Sequence, residues 1–599
     1  MELNESQRQA IFHKDGPMMV LAGPGSGKTT VISHRALQLA NSGIKPWQIL
    51  VITFSKAAAV EMESRYRNLS KGDACTFGTF HAIFFRILRQ RYGYSLEHVM
   101  QENERRDIVK KLLAAAGIAA DEDMQIAVRD EISLVKNELH DLQYYNSLTM
   151  AADDFRQLFK QYELAKQEQS KIDFDDMLSL TYKLWKSEPD NLLLWQKKFP
   201  YIMIDEFQDI NHVQYECIRM LSAAPHHLFI VGDDDQSIYR FRGARPEFLL
   251  RFPEDFPQVN RVLLETNYRS TEQVIAFSNS LISQNKLRYE KVIKGTGGKG
   301  PKPKVIKCQD QNHEASHIAA QIKKAPNYDE VAVVYRINIQ ARAFMDAFMQ
   351  ANIPYVVKDE ISVIYEHWIA QDIFAYLRLS QNIGNRQDLE RVINKPFRYI
   401  SKAFLQKAKQ DNIDIFKYYA KSSMLNSSQQ QHIEELISDL RYMAKRKPED
   451  AIRWLRRRAN YDNHIKDYCE YRKLNPNGLY EIASEIQDAS ALFAKTEDFL
   501  AHAEEAIANK ASKEVEGPRV TLSTLHSAKG LEFDTVYIAG AVEGLIPHER
   551  SKTAAELEEE CRLFYVGATR ARHNLYISVI KKRHEKDAEV SRFIKKLKK

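Results

Sequence analysis

Hydrophobic positions along the chain fall into two kinds of pattern. Short unbroken apolar runs stand at MMVLAG (18–23), ILVITF (49–54), YIMIDE (201–206) and LFIVGD (228–233). A second series stands at VLLET (262–266), VAVVY (331–335), VTLSTL (520–525), TVYIAG (535–540) and LYISVI (575–580). Several of these runs end in glycine, an acid or another polar residue and precede stretches with helical spacing. Unalternated runs suit strands buried on both faces of a parallel sheet. Their interleaving with helices predicts α/β layers with ligand sites at strand C-termini. Two series predict two such units.

Long helix-patterned segments interrupt each series. One covers 84–172 and includes ENERRDIVKKLLAAAG; the other covers 366–515 and reads as helical from DIFAYLRLSQ onward. GTGGKGPKPK (295–304) reads as a loop within the second series. The predicted organisation is a first α/β unit of 1–83 and 173–261 with 84–172 inserted. A second unit follows, of 262–365 and 516–599 with 366–515 inserted, ending in a basic tail. No sequence-level repeat relates the two.

Composition changes this picture little. A chain of 599 residues is too long for one core, and 44% hydrophobic with 28% charged residues fits a globular protein. No run approaches the roughly 20 apolar residues of a membrane span, so no membrane partner is expected. The opening MELNESQRQAIFHKD lacks an apolar signal core, which predicts a cytoplasmic location. Five scattered cysteines without a CxxC pair argue against a disulfide framework or a zinc ribbon. Net charge is only +6, but 441–458 and 581–599 are locally basic, as segments facing a polyanion are.

Candidate chemistry sharpens the picture. LAGPGSGKTT fits AxxxxGKT, with Ala22 where glycine is usual, between a strand-like and a helix-like run. Gly23, Gly25 and Gly27, with Pro24 and Ser26 between them, let backbone N–H groups converge on phosphate oxygens ahead of a helix N-terminus. Lys28 suits the β- and γ-phosphates of ATP, and the Thr29 hydroxyl suits Mg²⁺. Asp205, at the end of the YIMID run, is a second magnesium candidate. Glu206 beside it is the candidate base for the attacking water. In GDDDQSIYRFRGA the acid triplet Asp233–Asp235 reads as strand-end support for Gln236. Tyr239 and Phe241, at spacing two, are predicted to share one face of an extended segment. With Phe54 they suit stacked bases, and Arg240 and Arg242 suit phosphates.

In order along the chain stand LNESQRQAI, GPGSGKT, TFSKAAAVEM, GTFHAIFF, DFDDM, DEFQD, GDDDQSIYRFRGA, NYRS, YRINIQAR, TLHSAKGLEF and EEECRLFYVGATRAR. With these motifs the chain resembles the superfamily 1 helicases of the UvrD/Rep/PcrA type along nearly its whole length. The resemblance implies two RecA-like P-loop domains, each with a mainly helical insertion, and ATP hydrolysis at the cleft between them. It implies that Gln7 reads the adenine edge, Tyr268 stacks on adenine and Glu532 meets the ribose. Thr30 joins the nucleotide site after Thr29. Gln236 would report the γ-phosphate, which Arg269 and Arg570 would face from the second α/β unit. Phe54, Thr79, His81, Tyr239, Phe241, Arg242, Arg336, Asn338, Thr524 and His526 would lie along single-stranded DNA.

Six positions depart from the family pattern. Thr30 stands where arginine is common, Ala57 where lysine is, and Phe241 where tryptophan is. In the second insertion, IAQD places Ile369 at an acid's position, and PFRYIS places Tyr399 and Ser401 where two glycines usually sit. Those glycines admit backbone close to duplex phosphates, so duplex engagement there would fall instead to Arg453–Arg458. The implied activity is ATP-dependent 3′→5′ translocation on single-stranded DNA with unwinding at single-/double-strand junctions, in DNA repair or replication restart. A loading partner or dimerisation is compatible with it. The alternatives are a translocase that displaces proteins without processive unwinding, and the motor subunit of a nuclease complex.

Overall fold

The computed structural model describes residues 3–597 apart from 71–74, 119, 121, 223–225, 360–363, 411–413, 473–474 and 512–516. The predicted boundary at 515/516, and the last two residues of the basic tail, lie outside the described residues. The architecture is two six-stranded RecA-like sheets, each carrying a helical insertion.

The first sheet contains β1 (Met18–Ala22), β2 (Ile49–Thr53), β3 (Thr76–Thr79), β4 (Tyr201–Ile204), β5 (His227–Gly232) and β6 (Asn260–Leu264), in the order β3-β2-β4-β5-β1-β6. Neighbours are parallel throughout. MMVLA and ILVIT are buried at every position, as strands covered on both faces must be. VLLET departs from expectation. Val262–Leu264 pair with β1 (Val20 opposite Val262) and complete this sheet, whereas the sequence pattern grouped them with the second series. An apolar run marks a buried strand but carries no information about its neighbour. Two short parallel strands follow, β7 (Thr266–Asn267) and β8 (Lys294–Gly295).

The second sheet contains β9 (Lys304–Cys308), β10 (Val331–Tyr335), β11 (Tyr355–Val357), β12 (Val520–Thr524), β13 (Phe533–Ile538) and β14 (Ala571–Ile580), in the order β11-β12-β10-β13-β14-β9. Its central strand β10, VAVVY, is again wholly buried. The two strands of this sheet missed in the apolar pattern, β9 and β11, are its edges, where half-exposed KVIKC and a three-residue YVV give little signal.

Among the described residues of 80–200 the regular elements are helices, with one isolated bridge, Val99 to Ile172. Ile108, Val109, Leu113, Val128, Ile132, Phe155 and Tyr162 form a separate core there. The second insertion runs through helices from Trp368–Gln381 to Thr496–Ala511 around Ile369, Phe374, Leu436, Leu440, Ile452 and Ile486. Ile369, the departure within IAQD, is a fully buried member of that core. All five cysteines are buried. No described helix is long and apolar enough to cross a membrane. The chain divides into one compact unit of 1–302 with 551–573, and another of 303–550 with 574–599.

Candidate nucleotide site and nucleic-acid interface

The phosphate loop follows β1 directly. Gly25 (φ +66°) and Gly27 (φ +85°) adopt left-handed backbone that L side chains rarely adopt. A Cβ on Gly25 would lie 2.7 Å from the Arg269 Cβ, and one on Gly27 would lie 2.9 Å from the Gln7 Nε2. Gly27 caps the helix Lys28–Asn41 without a side-chain hydrogen bond, and no acid stands in its first turn. Such an N-terminus is suited to an anion. Ser26 is buried and donates to the Gly23 carbonyl at 2.7 Å, bracing the loop.

The NYRS segment is stitched onto this loop. Asn267 Nδ2 donates to the Pro24 carbonyl at 2.7 Å, and the Tyr268 N–H donates to the Gly25 carbonyl at 3.0 Å. Asn267 Oδ1 accepts from the N–H groups of Arg269 and Ser270. On the other flank, Gln7 Nε2 donates to the Ser26 carbonyl, and Asn4 reaches the Tyr268 hydroxyl at 2.8 Å. Gln7 is buried, whereas Tyr268 is 37% exposed and offers a ring face beside the loop. Gln7, the phosphate loop, Tyr268 and Arg269 therefore share one neighbourhood. Glu532 is exposed, one residue before β13 in the other compact unit.

Strand ends bring the acids. Asp205, just beyond β4, is buried and donates its N–H to the Ile52 carbonyl. Glu206 sits at φ +51°, a left-handed conformation costing a non-glycine residue about 1–2 kcal/mol. Its carboxylate lies 3.4 Å from Lys28 Nζ, so the base candidate and the phosphate-loop lysine converge. Gln208, fully buried, links two motifs: its Nε2 donates to Glu206, and its Oε1 accepts from the Asp233 N–H at 2.8 Å. Asp205 and Thr29 are hard oxygen donors of the kind magnesium takes, and the approach of Lys28 to Glu206 brings their two segments together. Elsewhere, Glu163, Asp173 and Asp176 are close enough to hold a cation, but Lys136 and Lys166 already occupy that cluster.

Gln236 is buried in a 3₁₀ turn, Asp234–Gln236. Its Nε2 donates to Asp233 at 2.6 Å and its Oε1 accepts from Arg570 Nη2 at 3.0 Å. Arg570 is fully enclosed and also donates to the Val566 carbonyl and the Thr569 hydroxyl. Burial, then the neighbouring Arg269 guanidinium, pushes its pKa down to about 9. Two arginines close enough to repel each other in a buried setting favour an anionic occupant. Arg570 directly precedes β14 of the second sheet, and Ser270 and Thr271, which follow Arg269, bond to the carbonyls of Ala571 and Arg572. By contacts both arginines fall in the compact unit that holds the phosphate loop.

The acid triplet is structural, as expected, and its partners are residues the sequence reading missed. Lys291, whose side chain is fully buried, lies 2.8 Å from Asp233 and 3.1 Å from Asp235 and also bonds Asp234. Burial works against its charge, but the three aspartates outweigh it and hold the ammonium well above its usual pKa. Arg288 forks onto Asp235 with two bonds of 2.7 Å. Three buried carboxylates in one turn demand cations, a signal the sequence does carry. Which cations answer it depends on a segment more than 50 residues away.

The aromatic platform corrects a second expectation. Residues 240–242 form a 3₁₀ turn capped by Tyr239, so Tyr239 and Phe241 are not alternate residues of an extended strand. They nonetheless share one cluster. Phe54 stacks on Tyr239 (5.3 Å between centroids, 9° between planes), Phe241 lies 6.1 Å from Tyr239, and the Arg242 guanidinium sits over both rings. Phe241 is 65% exposed. Arg240 instead pairs with Glu247 and donates its N–H to Glu559. Thr79 caps the helix Phe80–Tyr92, and within that helix His81 packs against Phe174, its pKa lowered mainly by burial.

In the second unit, β10 and β12 pair with Tyr335 opposite Thr524, so Arg336 and Asn338 follow one strand end while His526 follows its neighbour. Asp359 accepts from the Thr524 N–H and hydroxyl and from Ser527, shaping that turn. Three arginines of the 453–458 cluster are committed within the chain. Arg453 pairs with Glu449, Asp450 and Glu585, Arg456 with Asp462, and Arg457 with Glu585. That weakens the expectation that the cluster replaces the missing duplex contacts.

Comparison with known proteins agrees with this geometry. Residues 3–257 match the UvrD/REP helicase N-terminal domain, and residues 262–582 match the UvrD-like helicase C-terminal domain. A putative ATP-dependent DNA helicase, YjcD of Bacillus subtilis, is 33% identical over 99% of this chain and 80% of its own length. A probable DNA helicase II homolog of Rickettsia felis is 33% identical over 96% and 92%, respectively. The ATP-dependent DNA helicase PcrA of Bacillus subtilis is 30% identical over 97% and 83%. With both family domains matched in order along a chain whose nucleotide-site motifs are held together in space, the protein belongs to the UvrD/Rep helicase family.

Proposed function

We propose that the protein is an ATP-dependent DNA helicase that translocates 3′→5′ along single-stranded DNA and separates duplex at junctions. The observation that carries this reading is the continuity within one compact unit. Glu206 meets Lys28 of the phosphate loop, and Gln236, which bonds Arg570, stands three residues before Tyr239 of the Phe54–Tyr239–Phe241 cluster. ATP would lie with its base between Gln7 and Tyr268, its ribose near Glu532, and its phosphates along Ala22–Thr30. Thr29 and Asp205 would hold Mg²⁺, which supplies charge neutralisation at the β- and γ-phosphates. Glu206 would take a proton from the attacking water, and Arg269 and Arg570 would stabilise charge on the γ-phosphate.

Gln236 links the two chemistries. Loss of the γ-phosphate would change its bonds to Asp233 and Arg570, and Tyr239 follows three residues later. The bases would stack on Phe54, Tyr239 and Phe241. Thr79, His81 and Arg242 in one unit, and Arg336, Asn338, Thr524 and His526 in the other, would meet the backbone. Motor domains of 1–83 with 173–261, extended by the Val262–Leu264 strand, and of 265–365 with 516–599 would move relative to each other in the ATP cycle, with 84–172 and 366–515 as accessory insertions. DNA repair or replication restart is the setting we propose.

Replacing Tyr239 and Phe241 by alanine tests the platform. Each base stack is worth about 1–3 kcal/mol, so affinity for oligo-dT falls about 5- to 150-fold per ring. Fluorescence anisotropy measures it, alongside the DNA concentration that half-stimulates ATP hydrolysis. Unchanged values in the double variant refute the platform.

A second reading, translocation that displaces proteins without processive unwinding, is favoured by the second insertion. Ile369 serves the core there, and Tyr399 is exposed at φ +57° where a glycine would let backbone close in.

A further inference from the structure

Residues 285–291 form a strap between the segments that carry the two hydrogen-bond partners of the Gln236 carboxamide. At one end, Asn285 Nδ2 donates to the Glu558 carbonyl, the Lys286 N–H to the Glu558 carboxylate, and Arg562 to the Leu287 carbonyl. Those contacts fix the helix Ala554–Ala568, which leads directly to Arg570. At the other end, Arg288, the Tyr289 N–H and Lys291 hold Asp235, Asp234 and Asp233. The strap thus anchors both the arginine that donates to Gln236 and the aspartate that accepts from it.

Asp233 is oriented by its surroundings. Its Oδ1 faces Lys291 Nζ at 2.8 Å and accepts from the Asp235 N–H at 3.2 Å. That leaves Oδ2 for Gln236 Nε2, at 2.6 Å, and obliges the Gln236 oxygen to point at Arg570. Both Asp233 oxygens are thus engaged, Oδ1 by Lys291 and the Asp235 N–H and Oδ2 by Gln236. We infer that Asp233, locked by Lys291, is a positioning residue that sets which way the Gln236 carboxamide faces, and with it the alignment of Gln236 and Arg570 for γ-phosphate cleavage. This rests on the proposal that Gln236 and Arg570 act at the γ-phosphate.

The discriminating variant is Asp233→Asn. It is isosteric and leaves two acids against the two cations Lys291 and Arg288, so the fold is kept. The new amide keeps its oxygen toward Lys291 and the Asp235 N–H, and turns its NH₂ toward Gln236. Two donors then face each other, Gln236 turns over, and its own NH₂ meets the Arg570 guanidinium. Misalignment of this kind costs about 10²-fold in turnover.

The expected result is a kcat about 10²-fold below wild type in DNA-stimulated ATP hydrolysis, with KM for ATP and thermal midpoint unchanged. Lys291→Met is expected to lose turnover similarly, and Lys291→Arg to recover it. Gln236→Ala in parallel tests the underlying reading. If Gln236→Ala turns over like wild type, the assignment of Gln236 fails, and this inference with it. If Gln236→Ala is impaired while Asp233→Asn keeps wild-type kcat, Asp233 sets no orientation and the inference alone is overturned. A lowered thermal midpoint with unchanged kcat in both Asp233→Asn and Lys291→Met would mark a purely structural cluster and overturn it equally.

Discussion

Glu206→Gln lowers the rate of DNA-stimulated ATP hydrolysis about 10²- to 10⁴-fold while leaving nucleotide affinity within a few-fold of wild type. The magnitude is that of a positioned general base, and the reasons are local. Glu206 is held at φ +51° beside Gln208 and 3.4 Å from Lys28, a strained and well-braced placement. Glutamine preserves size and the capacity to bond Gln208 but takes no proton from water. Lys28→Ala gives the opposite signature, because it removes the cation expected on the phosphates and weakens binding as well as turnover. Phosphate release under saturating oligo-dT, paired with titration of a fluorescent ATP analogue, separates the two. Substantial turnover in Glu206→Gln would remove Glu206 from the base role.

Arg570→Ala is expected to reduce turnover about 10³- to 10⁵-fold, the range for an arginine that stabilises phosphoryl-transfer charge. The same change removes the donor to Gln236 Oε1 and leaves a cavity in a fully enclosed position. Arg570→Lys is therefore the informative companion. It fills most of the space and keeps the charge, but a compact ammonium does not reproduce the planar set of donors to Gln236, Val566 and Thr569. Single-turnover hydrolysis should leave the lysine variant impaired by at least 10²-fold. Near-normal turnover in it would mean that charge alone, without the hydrogen-bond geometry, is what the site uses.

How much of this was legible in the sequence depended on the kind of signal. Central strands such as MMVLA and VAVVY announced themselves because burial on both faces leaves no polar position. The phosphate loop was legible because its chemistry is local: glycines at φ +66° and +85° and a lysine at the helix start all fall within four residues. Partnership across the chain was not. Nothing in VLLET says that it pairs with β1, and nothing in a run of arginines says that Arg453 and Arg457 meet Glu585. The acid triplet showed a need for cations without showing that Lys291 and Arg288 meet it. Spacing two suggested an extended segment for Tyr239 and Phe241, but a 3₁₀ turn ended by Gly243 at φ +83° decided otherwise.

The most direct test of the account is single-turnover unwinding of a short duplex bearing one single-stranded tail. A 3′ tail, a 5′ tail and blunt ends are compared with ATP and with a non-hydrolysable analogue. The account predicts strand separation only with the 3′ tail and only with ATP, lost in Glu206→Gln and reduced in the Tyr239→Ala/Phe241→Ala variant. Unwinding from the 5′ tail alone, or ATP hydrolysis indifferent to single-stranded DNA, would contradict it.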